Sequence, residues 1–587
     1  MSQLAVAPMA GPLGGALPGL EFAPGTNPNG DLSFADWRFL LPGLRFRTVL
    51  FLGVPAVPVL AALARTAERI VVASGELPAL QRVRAAALQR GLSNVHGLLT
   101  ASPERLPCAD GSLDLIVLGG GTRTASRVLA RPGSADELSR VLAPNGTIYL
   151  EVDRHLDVLR AARWSSRLAA RGFDAPQTYW LLRNKAGGVR LAFPIEQARA
   201  VRYAFDQVLY GTSRKAKVLR WMGRSVSRVG LHRHLVPDRA LVFHRREDGT
   251  APGGGAPGPS RYLSALAARA GLELGVVRPG FFARGGYDSN KVAFFLFGDA
   301  APEPAMIVKM TRSPRYNHRL EAEHRALAQL RAGALADEGT YPEALFFGHH
   351  HDLAVLAERV VPGSPFRTRT RGDTTCPFAR AAIHWIEELG ARSVADDADA
   401  TALPRMLGDL LVRFERVYAL TEAEREFLRD RIQSLGMASG GIPTVFQHGD
   451  AGTWNVLVAG DDRVAFLDWE VSSARGVPLW DLVDFLRSFG SWAARSQGEQ
   501  DMVRAYATHF LAPSPFSELQ AEAVRSYRSR VGLPRDGMEA LFFSCWMHRA
   551  VREAAWTSAP LDQGFYLNLV RTCIRQRDAE GLKWLFD

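Results

Sequence analysis

The sequence predicts a doubly wound α/β half followed by an α+β half of two lobes. Three observations carry this. Short apolar strands alternate with helical segments from Thr48 to Val152. The run Gly249 to Pro259, GTAPGGGAPGP, excludes both helix and strand and divides the chain. Beyond it, a short strand-rich stretch gives way to a long helical one.

The N-terminal elements follow in order. Thr48 to Leu52 reads as a strand, Val57 to Arg65 as a helix, Ile70 to Ala73 as a strand and Leu77 to Arg90 as a long helix. Ser112 to Leu118 is a further strand, and a helix then ends at Leu142. Ala143-Pro144-Asn145-Gly146 is a turn before the strand Thr147 to Val152. Short links between strands and helices imply a parallel sheet. In the second half, Gly285-Gly286-Tyr287 lies between extended segments, and Val292 to Phe297 and Ala305 to Met310 read as antiparallel strands. Arg319 to Leu330 is an amphipathic helix, and helices dominate after Pro362-Gly363. The expected division is a flexible tail at 1–35, an α/β domain at 36–246, a Gly/Pro linker at 247–262 and a second domain at 263–587. In that domain the small lobe covers about 270–362 and the large lobe about 363–587.

Composition narrows the class. Of 587 residues, 47% are hydrophobic and 22% charged, which fits a folded chain and excludes wholesale disorder. The net charge is +11, and all but six of the 71 basic residues are arginine. The longest apolar run, Val49 to Ala64, is broken by Pro55 and Pro58, short of the roughly 18 residues of a spanning helix. No basic residue precedes Arg38, so the start lacks the charged region of a secretory signal. Cys108, Cys376, Cys545 and Cys573 lie far apart, without metal-ligand spacing or a disulfide framework. The expectation is a cytoplasmic protein with reduced thiols.

The strongest signal is His448-Gly449-Asp450-Ala451-Gly452-Thr453-Trp454-Asn455, followed by Phe466-Leu467-Asp468-Trp469-Glu470. Phosphoryl transfer needs a carboxylate near the attacking hydroxyl and oxygen ligands for a divalent cation. Asp450 precedes a strand in a loop, Asn455 can turn an amide oxygen to a metal, and Asp468 ends the strand Val464 to Leu467. The 18 residues from Asp450 to Asp468 leave room for a β-hairpin that brings both carboxylates to one cleft. Upstream, Lys309 closes a strand where an ammonium can meet the phosphates of ATP. Glu323, with Glu321 as the weaker neighbour, is the candidate helix glutamate to hold it. Gly285 and Gly286 can let the backbone approach phosphates, and Leu356 to Gly363 is the expected connection between lobes.

Together with Pro478-Leu479-Trp480-Asp481-Leu482, these motifs resemble the aminoglycoside phosphotransferase and choline kinase family over about Leu274 to Phe586. The resemblance implies a bilobal protein-kinase-like fold and ATP with Mg2+ as cofactors. It also implies Asp450 as catalytic base, Asn455 and Asp468 as metal ligands, Lys309 as phosphate anchor and Asp481 as support for the catalytic loop. The glycine loop departs from the full pattern. His448 reads as a loop-ordering residue.

In the first half, Val49-Leu50-Phe51-Leu52-Gly53, the run Pro103 to Val117 and Glu137 to Gly146 resemble class I S-adenosylmethionine-dependent methyltransferases over about Asp36 to Arg245. The resemblance implies a Rossmann-like fold and Gly53, Glu76 and Asp114 as contacts to S-adenosylmethionine. The cofactor loop departs from the pattern: Pro55 and Val57 stand at the later glycine positions, and Glu76 comes three residues late for the ribose. A degenerate, non-methylating domain and a divergent active one both stand.

Ser213 to Arg246 holds ten Lys/Arg and one acid, Asp238, with Val218, Leu219, Met222, Val226 and Val229 on a helical stripe. Such a helix can rest on an anionic membrane or bind an anionic glycan; the alternative is a solvated face packed on the sheet. No nucleic-acid motif accompanies the charge. The function expected is ATP- and Mg-dependent phosphorylation of a hydroxyl on a small molecule or glycan. Two alternatives remain: a bifunctional kinase–methyltransferase acting on a polysaccharide or lipid-linked glycan, and a non-catalytic scaffold. The protein would then be cytoplasmic, or peripheral to the inner face of the membrane.

Overall fold

The computed structural model describes residues 32–587 apart from 101, 119–126, 129, 132, 153–154, 184–187, 210–213, 229, 231, 236–237, 247–259, 275–278, 284–290, 299–302, 396–400, 436–440, 461, 556–559 and 587. The chain divides into two units, one of Pro28–Leu320 with Ala344–Val360 and one that includes Glu321–Glu343 and Val361–Asp587.

The first unit is built on the expected alternation. Strands β1 (Phe46–Leu52), β2 (Ala67–Ser74), β3 (Val95–Leu99), β4 (Leu113–Leu118) and β5 (Leu142–Val152) pair in parallel in the order β3-β2-β1-β4-β5. Alternate residues of β1 feed opposite faces, as a two-residue strand period requires. Val49 and Phe51 pack with Leu60, Leu63, Leu80 and Val83 of the helices Val57–Leu63 and Leu77–Gln89. Leu50 and Leu52 pack with Leu138, Val141, Trp164 and Leu168 of the helices Ser134–Val141 and His155–Ala169. Helices thus cover both faces, which makes the half doubly wound and Rossmann-like.

The sheet does not end at the expected boundary. Strands β6 (Gln177–Arg183), β7 (Val189–Pro194) and β8 (Arg239–His244) extend it, with β8 antiparallel between β5 and β6, and β7 antiparallel to β6. Strand β9 (Gly280–Phe282) then pairs with β7, Leu191 opposite Phe282 and Ala192 opposite Phe281. The close approach needs Gly280, where a Cβ would run into the Phe193 ring. From β9 the sheet continues through β10 (Lys291–Leu296), β11 (Met306–Thr311), β13 (Leu353–Arg359) and β12 (Ala344–His350), giving thirteen strands in all. The division expected at 247–262 therefore falls within one unit, because Gly/Pro composition does not mark where strand pairing stops. The linker residues 249–259 lie outside the described residues. Likewise Leu356–Arg359, expected to connect the lobes, belongs to β13, and the units meet in sequence at Val360 and Val361.

The expected tail is also shorter. Residues 1–31 lie outside the described residues, but Leu32–Leu40 forms a buried 3₁₀ helix. Trp37 stacks on Tyr149 of β5 with ring centroids 4.4 Å apart. The Asp36 carboxylate accepts two parallel bonds from Arg312, Nε at 2.9 Å and Nη2 at 2.8 Å, just beyond β11. Arg38 donates to the Arg312 carbonyl at 2.8 Å; burial, reinforced by the Arg312 charge, pushes its guanidinium down to about 10 against the pull of Asp36.

The second unit is mainly helical. Its helices include Pro377–Arg392, Ala402–Val417, Glu422–Leu435, Trp480–Ser496, Pro515–Val531 and Met538–Ala554. The residues of the Asn317–Ala332 helix from Glu321 onward belong here too. Two small sheets carry the motif loops: β14 (Ser364–Pro365) with β16 (Val456–Val458) and β17 (Val464–Phe466), and β15 (Val445–Gln447) with β18 (Ser473–Gly476). Ser514 caps the Pro515–Val531 helix in a reciprocal box with Ser517. All four cysteines are free, and no described helix is long and apolar enough to cross a membrane.

Candidate active site

In the second unit the HGD loop leaves β15 in a fixed shape. Gly449 has φ +79°, and a Cβ there would strike the Val471 carbonyl, so glycine is required. The buried His448 ring accepts from the Asp450 N–H at 3.2 Å through Nδ1 and meets the Leu467 carbonyl at 3.1 Å through Nε2. It orders the loop, as its sequence position suggested. Asp481, in the first turn of the Trp480–Ser496 helix, accepts from the His448 N–H at 2.6 Å and the Gly449 N–H at 2.9 Å. Burial pushes its carboxyl up, against the pull of the neighbouring His448 and these two bonds.

Asp450 is brought to Asn455 by the turn that precedes β16. The Asn455 Nδ2 donates to the Asp450 carboxylate and carbonyl, both at 2.9 Å, and Trp454 Nε1 donates to the same carboxylate at 3.0 Å. With its amide nitrogen so engaged, Asn455 keeps its amide oxygen for another partner, as a metal ligand must. β16 and β17 form the expected hairpin, Val456 opposite Phe466. Asp468 follows β17 with φ +74°. Its carboxylate converges with those of Glu323 and Glu470, one oxygen of each lying within 4.8 Å of the others. Glu323 is buried and also accepts from the Trp469 N–H at 3.1 Å. Oxygens from three carboxylates so close suit a hard divalent cation, so Mg2+ fits the residues present.

An arginine cluster absent from the sequence reading surrounds Asp450. Arg549, on the Met538–Ala554 helix, donates Nη1 to Asp450 at 3.0 Å and Nη2 to the buried Asp484 at 2.5 Å. Arg487 donates to the same Asp484 at 2.9 Å, and Arg552 donates to the Gly449 carbonyl at 3.2 Å. Burial alone would raise the Asp450 carboxyl; the charges of Arg549 and Arg552, with the bonds from Trp454 and Arg549, outweigh it and hold the carboxyl below its ordinary range. Arg367 bonds Thr453 Oγ1 at 3.1 Å and lies over the Trp454 ring. The signal for Arg549 was a charged residue inside the apolar run Leu541 to Val551, but it was masked by 65 arginines.

In the first unit, Lys309 lies on β11 opposite Ala293 of β10 and Leu356 of β13. Its ammonium donates at 2.8 Å to Glu358, a buried β13 carboxylate that the reading of 356–363 as a connector concealed. Glu323, the expected partner, belongs to the other unit. Gly285 and Gly286 lie outside the described residues.

The expected contacts to S-adenosylmethionine do not form a set. In a doubly wound sheet, ligands bind at the carboxyl ends of the strands, beside the switch point. Gly53, φ +100°, follows β1 at that edge, and the exposed Glu76 follows β2 there. Asp114 is corrected by the structure: it lies at the amino end of β4 and accepts from the Arg47 and Thr48 N–H groups at 2.6 and 3.1 Å. A residue tied to the start of β1 cannot reach a ligand at its finish.

Residues 284–514 match the phosphotransferase enzyme family, and this C-terminal part resembles that family in fold. No curated protein matches the sequence. Among solved structures, an aminoglycoside phosphotransferase from Streptomyces rimosus is 18% identical, over 51% of this chain and 98% of its own, with a TM-score of 0.30. The N-methyltransferase NodS from Bradyrhizobium japonicum is 16% identical over 36% of this chain and 92% of its own, TM-score 0.23. A SAM-dependent methyltransferase from Aquifex aeolicus is 16% identical over 28% and 92%, TM-score 0.22. The family match thus likens residues 284–514 to phosphotransferases.

Proposed function

We propose that the protein transfers the γ-phosphoryl group of ATP to a hydroxyl of a small molecule or glycan, and that its N-terminal half does not methylate. The observation that supports this most is the convergence of Asp450 and Asn455, with Asp468 beside Glu323 and Glu470. Asn455 and Asp468 would hold Mg2+, which supplies charge neutralisation on the transferred group. Asp450, kept ionised by Arg549 and Arg552, would orient the acceptor hydroxyl and take its proton. Lys309, steadied by Glu358, would meet the phosphates. Pro55 and Val57 at the later glycine positions support a non-methylating N-terminal half.

The test is a Mg-ATP transfer screen over neutral, anionic and polycationic hydroxyl compounds. Asp450→Asn should lower turnover about 10²-fold or more, the scale of one acid–base group. Full activity in that variant, or no transfer and no nucleotide-induced thermal shift in the wild type, sinks the reading.

A further inference from the structure

The Arg214–Arg228 helix, RKAKVLRWMGRSVSR, has an unusual outer face. The sequence of the helix holds six Lys/Arg and no acid, including two of the six lysines of the whole chain. Its docked side is small and polar. Gly223 lies so close to Phe205 that a Cβ would overlap the ring, Ser227 is fully buried, and Arg224 pairs with Asp206 of the π-helical turn Ala204–Val208. At about 100° per residue, Val218, Trp221 and Met222 fall on the opposite side. They are exposed by 56%, 68% and 51%, three of the nine exposed large hydrophobic residues described. Of the apolar stripe, Val218 and Met222 face outward rather than onto the sheet. Part of the basic segment does serve the fold. Arg245 donates to the Ser139 and Leu142 carbonyls, and Arg246 approaches Asp174 at 3.7 Å. The helix is where the surface feature lies.

We propose that this helix is a docking surface for an anionic lipid bilayer, lying flat with Val218, Trp221 and Met222 in the headgroup region and the exposed Arg228 against lipid phosphates. An exposed Trp beside aliphatic residues suits the boundary between headgroups and acyl chains. The uniform positive charge selects an anionic surface. A second copy of the chain fits poorly, since a two-fold contact would set the same positive helix against itself. Nucleic acid would use the charge but leave Val218 and Met222 without a partner.

The intact protein is sedimented with vesicles of phosphatidylcholine containing about one third phosphatidylglycerol, and with pure phosphatidylcholine. Binding should be at least about tenfold stronger on the anionic vesicles and should fall at high salt. The triple substitution V218S/W221S/M222S should weaken it by about tenfold or more, with melting temperature and Mg-ATP turnover unchanged. If the triple variant folds poorly, Arg228→Glu, which leaves the apolar face intact, should weaken binding by about tenfold. Equal binding to both vesicles overturns the proposal. So does undiminished binding by either variant, a dimer in light scattering that the triple substitution dissolves, or a preference for duplex DNA over anionic vesicles.

Discussion

Arg549 Nη1 lies 3.0 Å from Asp450 Oδ1, joining a C-terminal helix to the HGD loop across 99 residues of sequence. The same guanidinium holds Asp484, so one buried side chain bridges two carboxylates. A carboxylate in that position is orienting as much as basic, since its proton affinity is lowered while the pair persists.

Replacing Arg549 by Met should therefore shift the acid limb of the turnover profile to higher pH. In the wild type the Asp450 carboxyl sits below its ordinary value, so it stays ionised as pH falls, and the associated stability is lost only on passing through that depressed value. Without Arg549, burial dominates and protonation begins at higher pH. Turnover should drop about 10- to 100-fold, and Arg549→Lys should restore part of it and return the limb toward the wild-type pH. A profile with an unmoved acid limb in Arg549→Met would contradict the role.

Asp468 separates a metal role from a folding role. Asp468→Asn should raise the Mg2+ concentration for half-maximal ATP turnover by about tenfold or more, with little change in melting temperature. Asp481→Asn should do the reverse, because its carboxylate receives the loop N–H groups of His448 and Gly449. Chelation of Mg2+ should abolish turnover in both. An unchanged Mg2+ requirement in Asp468→Asn is the adverse result.

The Asp36–Arg312 pair predicts a stability loss far from any catalytic residue. Both side chains are buried, and Arg38 donates to the Arg312 carbonyl. Asp36→Asn removes a buried carboxylate from beside two buried guanidinium groups and should cost about 3–5 kcal/mol, read from the urea midpoint. A loss below about 1 kcal/mol would mean that water reaches the pair.

Asp114→Ala should cost about 1–3 kcal/mol, from two unpaired backbone N–H groups at the start of β1. Calorimetry with S-adenosylmethionine should show no saturable heat in either protein. Saturable heat in the wild type that vanishes in Asp114→Ala would restore the cofactor reading.

The legible parts of this protein were local ones. The β–α alternation from β1 to β5 and the hairpin between Asp450 and Asp468 rest on neighbours in sequence, where periodicity and spacing act directly. The illegible parts depend on contacts between distant segments. Glu358 beside Lys309 follows from the pairing of β11 with β13, and Arg549 beside Asp450 from the packing of a helix 99 residues away. Asp114 reads from the sequence as a strand residue, but its role depends on which end of a parallel sheet it occupies.

The pairing of β7 with β9 bears on how such a chain can be inherited. A crossover within 249–259 would look harmless, since nothing there is helix or strand by composition. It would nevertheless strip each daughter of a partner, leaving Val189–Pro194 and Gly280–Phe282 as naked edges ready to pair with another molecule. The two stretches of sequence are therefore held to one sheet by this pairing, although a segment rich in glycine and proline lies between them.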